Sequence, residues 1–106
     1  MSAIQALHGA TSGRPNQYTV NIYDNAMSPT AGEGDFALID MTKGLETGAG
    51  IFLFQAASGD AWIRRIQMMI DGTLNIISDN VEIENELIHR DQVDIIGRVE
   101  WIARKV

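Results

Sequence analysis

Apolar residues in this chain fall in short runs separated by turn-forming clusters, and within the runs they are continuous or alternate with period two. That is the spacing of strands rather than of helices. Tyr18 to Tyr23 alternates, Phe36 to Met41 is an apolar run suited to a buried strand, and Gly50 to Ala56 is another. Ser58-Gly59-Asp60 predicts a hairpin turn into a strand from Ala61 to Ile70, and Asp71-Gly72 a second turn into Thr73 to Ser78. Two hairpins in series imply an antiparallel meander. The expected fold class is mainly β, a compact antiparallel domain with little helix.

Period-two geometry assigns side chains to faces. In the strand from Ala61, Trp62, Arg64, Ile66, Met68 and Ile70 share one face, with Arg65 and Gln67 on the other. Arg64 therefore points to the apolar side. A guanidinium there needs a carboxylate or backbone carbonyls, unless the strand lies near an edge and the side chain reaches water. The pair Met68-Met69, next to a turn, reads as gap-filling core. In the last strand Val93, Ile95, Gly97, Val99, Trp101 and Ala103 form the expected core face. Asp94, Arg98, Glu100 and Arg104 form the polar face, which also carries Ile96 and Ile102.

With 106 residues, 45% of them hydrophobic, the chain has enough material for one compact core and too little for two ordinary domains. No apolar run approaches the roughly 20 residues of a membrane-spanning helix, and the N-terminus lacks a signal-peptide pattern. There is no cysteine, so neither a disulfide framework nor a thiolate metal site is available. A cytoplasmic protein without membrane contact is expected. The net charge of −6 comes without a lysine and arginine stripe, so this piece is not expected to bind DNA by itself. His8 and His89 stand alone, and Asp79, Glu82, Glu84 and Glu86 lack the spacing of a calcium loop. They read as a solvated acidic loop, and no metal or other cofactor is expected. Residues 1–17, with Gly9, Gly13 and Pro15 as breakers, read as a linker ahead of a domain over residues 18–106.

One stretch carries a more specific signal. Tyr23-Asp24-Asn25-Ala26-Met27-Ser28-Pro29-Thr30, followed by Glu33-Gly34-Asp35 and the run Phe36 to Asp40, resembles the nucleophile segment of the LexA and phage-repressor family of self-cleaving serine peptidases. That segment reads Gly-Asp-Ser-Met-x-Pro-Thr, a short gap, Gly-Asp, then a hydrophobic strand. Ile63-Arg64-Arg65-Ile66 is similar to the strand bearing the family's lysine base. Leu74-Asn75-Ile76-Ile77-Ser78-Asp79-Asn80 is similar to its Leu-x-x-x-Ser-x-Asn, and Ile96-Gly97-Arg98-Val99 to its closing strand. The four pieces occur in order across residues 18–106. The departures are Asp24 for glycine, Asn25 for aspartate, Ala26 for the nucleophilic serine, Arg64 for the lysine, and Val81 where proline often follows.

The resemblance implies a LexA/signal-peptidase-like β domain and places the degenerate catalytic positions at Ala26 and Arg64, with Asn25, Met27 and Ser28 in the degenerate groove. Alanine has no hydroxyl, and a guanidinium stays protonated at physiological pH, so neither can fill its role in a serine-lysine dyad. Ser28 reads as a turn residue ahead of Pro29 rather than a substitute nucleophile. No catalytic residue is therefore expected. The resembling domains associate partly through their C-terminal segments, which makes Ile96, Arg98, Glu100 and Ile102 the candidate oligomer interface. The implied role is a non-cleaving oligomerisation domain of a phage-type repressor. Its partners would be a second copy of itself and an antirepressor protein, and it would reach DNA only through a separate N-terminal helix-turn-helix domain. Two alternatives accompany it: a self-cleaving domain in which Ala26 replaces a natural serine, and a module whose old cleavage groove holds a linker strand.

Overall fold

The computed structural model describes residues 16–104. The linker reading of residues 1–15 lies outside them; Gln17 already belongs to the first strand. Seven strands form one antiparallel sheet: β1 (Gln17–Asn21), β2 (Phe36–Asp40), β3 (Gly50–Ala56), β4 (Ala61–Met68), β5 (Leu74–Ile77), β6 (Glu86–Ile88) and β7 (Val93–Ala103). Their spatial order is β1-β2-β7-β3-β4-β5-β6, so β3, β4 and β5 form the expected meander and β7 returns to lie between β2 and β3. β6 extends the meander from the stretch read as a solvated acidic loop, a correction at Glu86. Short 3₁₀ turns at Leu45–Thr47 and Arg90–Gln92 are the helical elements among the described residues. The expected mainly β, antiparallel class holds.

Both hairpin turns form where glycine allows them. Gly59 and Gly72 have φ of 93° and 88°, in the left-handed region that a side chain disfavours. Ala56 N–H donates to the Asp60 carbonyl across the first turn, and Met69 N–H to the Thr73 carbonyl across the second. The strand from Ala61 ends at Met68, two residues short of the expected end. Ile70 is fully exposed and Met68 and Met69 project from the hairpin, so the reading of the methionine pair as core filling is corrected. Met68 is the last paired residue of β4, and the turn takes Met69 and Ile70 off the sheet.

The sheet buries apolar residues on both faces, which explains why β2 and β3 read as continuous runs. On one face Val20, Ile22, Ala37, Ile39, Leu53 and Ile63 pack beneath Met27 and Ala31 from the loop between β1 and β2. On the other, Phe52, Phe54, Ile66, Leu74 and Ile76 pack with Leu45. Phe52 stands opposite Arg64 and Phe54 opposite Trp62, so Trp62, Arg64 and Ile66 lie on this second face as the alternation predicts.

The alternation fails in β7. Its pairing shifts register twice: Trp101 and Val99 face Leu38 and Ile39, leaving Glu100 as an extra residue, and Gly97 and Ile95 face Leu53 and Phe54, leaving Ile96. Each extra residue reverses which face the following side chains occupy. The division into one core face and one polar face is therefore corrected. Val93 and Ile95 pack on the second core, whereas Ile96, Val99 and Ile102 pack on the first. Trp101, expected in the core, is 51% exposed beside Leu38.

Candidate functional site

The loop between β1 and β2 carries the segment Tyr23 to Thr30 singled out from the sequence, and its own backbone shapes it. Ser28 N–H donates to the Asn25 carbonyl, Ala31 N–H to the Met27 carbonyl, and Asp35 N–H to the Gly32 carbonyl. Asn25 Oδ1 accepts the Glu33 N–H and Asp35 Oδ2 the Gly32 N–H, closing the loop on itself. The segment following β5 then clasps it from outside. Asn80 N–H donates to the Ala26 carbonyl and Asn80 Nδ2 to the Asn25 carbonyl. Thr30 Oγ1 donates to Asp79 Oδ2, and Arg65 holds both oxygens of the same carboxylate, Nε at 3.0 Å and Nη2 at 2.8 Å. Arg104 at the end of the described chain donates to the Pro29 carbonyl.

These contacts bring together two of the positions singled out from the sequence. Ala26 is 3% exposed, its methyl packed inside. Arg64, with 12% of its side chain exposed, reaches back to the same loop: Nη2 lies 3.2 Å from Asp24 Oδ2 and Nη1 is 2.7 Å from the Ile63 carbonyl. Its guanidinium also sits 5.2 Å from the centre of the Trp62 ring. Both kinds of partner expected for Arg64, a carboxylate and a backbone carbonyl, are present. Asp24 Oδ1 in turn accepts the Ala26 N–H at 3.2 Å. One carboxylate thus ties the backbone of position 26 to the side chain of position 64. Asp24 stood out in the sequence only as a departure from the family motif. Its pairing partner forty residues away left no mark there.

The other singled-out residues are dispersed. Met27 is wholly buried in the first core and does not face a groove, a correction that follows from the loop folding over the sheet. Asn25 is exposed at the loop's surface, and Ser28 is half-buried. Arg98 is occupied: it donates to the Thr47 hydroxyl and to the Gly48 and Ala49 carbonyls, and stacks on Phe52. Glu100 pairs with Lys43. Neither charge is free for a partner, and Ile96 and Ile102 are turned toward the core.

Electrostatically the strongest feature is the Arg65–Asp79 clasp. Hydrogen bonds from Arg65 hold the Asp79 carboxyl below its ordinary range, helped by the Thr30 hydroxyl and the Arg65 charge, and burial opposes them only in part. The same bonds raise Arg65. On the second face a cavity of about 490 Å³ opens beside Arg64, lined by Phe54, Trp62, Ile76, Ser78 and Val93 among others.

An all-antiparallel sheet whose motif loop is pinned between the strand bearing Arg64 and the segment after β5 is the framework of a peptidase fold. The Peptidase S24-like family model matches residues 2–100, and the chain belongs to that family. No curated protein matches it. Among the described residues no helix is long and apolar enough to cross a membrane.

Proposed function

We propose that this chain is a non-cleaving assembly domain of a phage-type transcriptional repressor, working in the cytoplasm. It would reach DNA through a separate N-terminal domain and be relieved by an antirepressor protein. The observation that carries the reading is the state of the positions that would have to do chemistry. Position 26 is an alanine whose N–H is taken by a carboxylate, and position 64 is an arginine paired to the same carboxylate. A peptidase needs an attacking hydroxyl, a neutral base and free N–H donors for the oxyanion. On the positions that the resemblance assigns, alanine offers no hydroxyl, arginine no neutral base, and the residue 26 N–H is occupied by an anion.

What such a domain contributes is proximity. Joining two repressor chains makes their DNA-binding domains act as one unit, with a gain set by effective concentration. The apolar surface available for this is Trp101 on β7 with Phe36 on β2, 51% and 42% exposed on one sheet face. It replaces Ile96 and Ile102 as the candidate contact. Sedimentation velocity over a wide concentration range tests the proposal: concentration-dependent dimers lost in Trp101→Glu support it, and a strict monomer throughout removes it.

A further inference from the structure

The cavity on the second face has features that self-association does not use. Its lining includes the apolar Phe54, Trp62, Ile76 and Val93 and the polar Arg64 and Ser78. Pockets of this composition bind side chains in the apolar part and fix orientation at the few polar groups. Arg64 is the one basic residue lining it, and Asp24 already matches that charge. Glu84 and Glu86, which also line it, are both exposed, and apart from Arg64, already paired with Asp24, no basic residue lines the cavity to balance them.

The rim is also a sheet edge. β6 ends the strand order, so one row of its backbone donors and acceptors faces away from β5. Within β6 Glu86 and Ile88 line the cavity, while Leu87 between them is 67% exposed; Glu84, two residues ahead of the strand, lines it as well. A strand added antiparallel to β6 would place alternate side chains opposite Ile88 and then Glu86, and its continuation would run on toward Glu84.

We propose that this cavity and the β6 edge form a docking groove for an extended segment of another protein. The segment carries, at every second position, an apolar residue followed by two basic ones. The apolar side chain enters beside Ile88 toward Trp62, the basic pair meets Glu86 and Glu84, and the backbone extends the sheet. Charge complementarity selects this partner: an acidic segment would meet two like charges at the rim. The groove does not depend on how many copies of the chain associate.

Trp62 reports occupancy. The chain has two tryptophans, so Trp101→Phe leaves Trp62 as the single one, read by excitation beyond the tyrosine absorption band. The probe is acetyl-Leu-Thr-Lys-Thr-Lys-amide, compared with the same peptide carrying glutamate in place of both lysines and with a peptide copying residues 2–15. The expected result is a saturable change in Trp62 emission with the basic peptide, about tenfold weaker binding of the acidic one, and weakening by added salt. Glu84→Gln/Glu86→Gln should bring the two affinities together, with unchanged near-ultraviolet circular dichroism showing that the exposed substitutions leave the fold intact. No saturable change up to about 1 mM peptide, equal binding of both probes, or preferential binding of the 2–15 peptide would overturn the proposal.

Discussion

Asp24 and Arg64 lie forty residues apart in the chain and 3.2 Å apart in the fold, and the carboxylate that meets the guanidinium also accepts the Ala26 N–H. The pair is asymmetric in its surroundings. Arg64 is largely enclosed by Trp62 and the sheet, with 12% of its side chain exposed, whereas Asp24 is 31% exposed. Removing the carboxylate strands an enclosed cation; removing the cation leaves an anion that water can reach. Asp24→Asn should therefore cost more stability, about 1–3 kcal/mol, than Arg64→Leu. Denaturant unfolding of the two variants checks the order, and a larger loss for Arg64→Leu would show that the pair is not what holds the loop.

The same relationship sets a sequence of requirements for restoring peptidase chemistry. Ala26→Ser should not cleave a fluorogenic peptide containing an Ala-Gly bond, because a guanidinium does not serve as the general base of a serine-lysine dyad. Adding Arg64→Lys should still fail, since an opposite charge at Asp24 favours the charged amine and keeps it from acting as a base. Only with Asp24→Gly as a third change are the amine and the residue 26 N–H both released, and slow turnover rising with pH is expected. Turnover by the double variant would show that Asp24 does not block the site.

Most of the strand plan could be read from the chain, because hairpin turns carry local signals. Ser58-Gly59-Asp60 and Asp71-Gly72 turn where glycine provides the positive φ, and β2 to β5 begin within a residue of where the apolar runs begin. β6 was hidden in an acidic stretch, since three residues are too few to show a period. β7 was located correctly but its faces were not: the register shifts at Ile96 and Glu100 come from pairing with two different neighbours, which no local pattern records. Of the site, Arg64 on an apolar face was legible from alternation alone. Asp24 as its partner, and Asp79 as the partner of Arg65, were not, since both depend on loops whose path the sheet decides.

Gly97 makes a separate test of how tightly β7 is held. A Cβ there would come within 2.7 Å of both the Asp40 carbonyl oxygen and Ile39 Cγ2, and the first of these is backbone that cannot rotate away. Gly97→Ala should destabilise by about 1–3 kcal/mol through this overlap. Equilibrium unfolding reads the effect directly. A neutral result would mean that β2 and β7 can separate locally without loss.

Acid should loosen the motif loop through Asp79. Its folded pKa lies below the ordinary carboxylate value, first because of the Arg65 hydrogen bonds. The unfolded chain, with a pKa of about 3.9, binds a proton more readily. The clasp therefore contributes its full stability above that value and loses it as pH falls through the lower folded one. Asp40, lowered by its bonds from Thr42, follows the same direction, so some acid dependence will survive any single change. Asp79→Asn should flatten the decline in stability on the acid side of about pH 4 and lower stability at neutral pH. An unchanged slope would place the acid-sensitive contact elsewhere.

The last prediction separates two surfaces on one strand. Ile96 and Ile102 look like spare apolar residues in the sequence, but the register shifts turn them against the first core beside Val99. Placing aspartates there would put charges against apolar side chains with no partner. Ile96→Asp/Ile102→Asp should therefore unfold the domain or lower its melting temperature sharply, and any loss of association would be a consequence of unfolding. Trp101→Glu changes a half-exposed side chain on the other face and should leave the melting temperature of the monomer nearly unchanged while removing self-association. Thermal unfolding monitored alongside sedimentation distinguishes the two. If the isoleucine variant stays folded and monomeric, β7 offers its first face to a partner after all, and the exposed Trp101 and Phe36 must be serving something else.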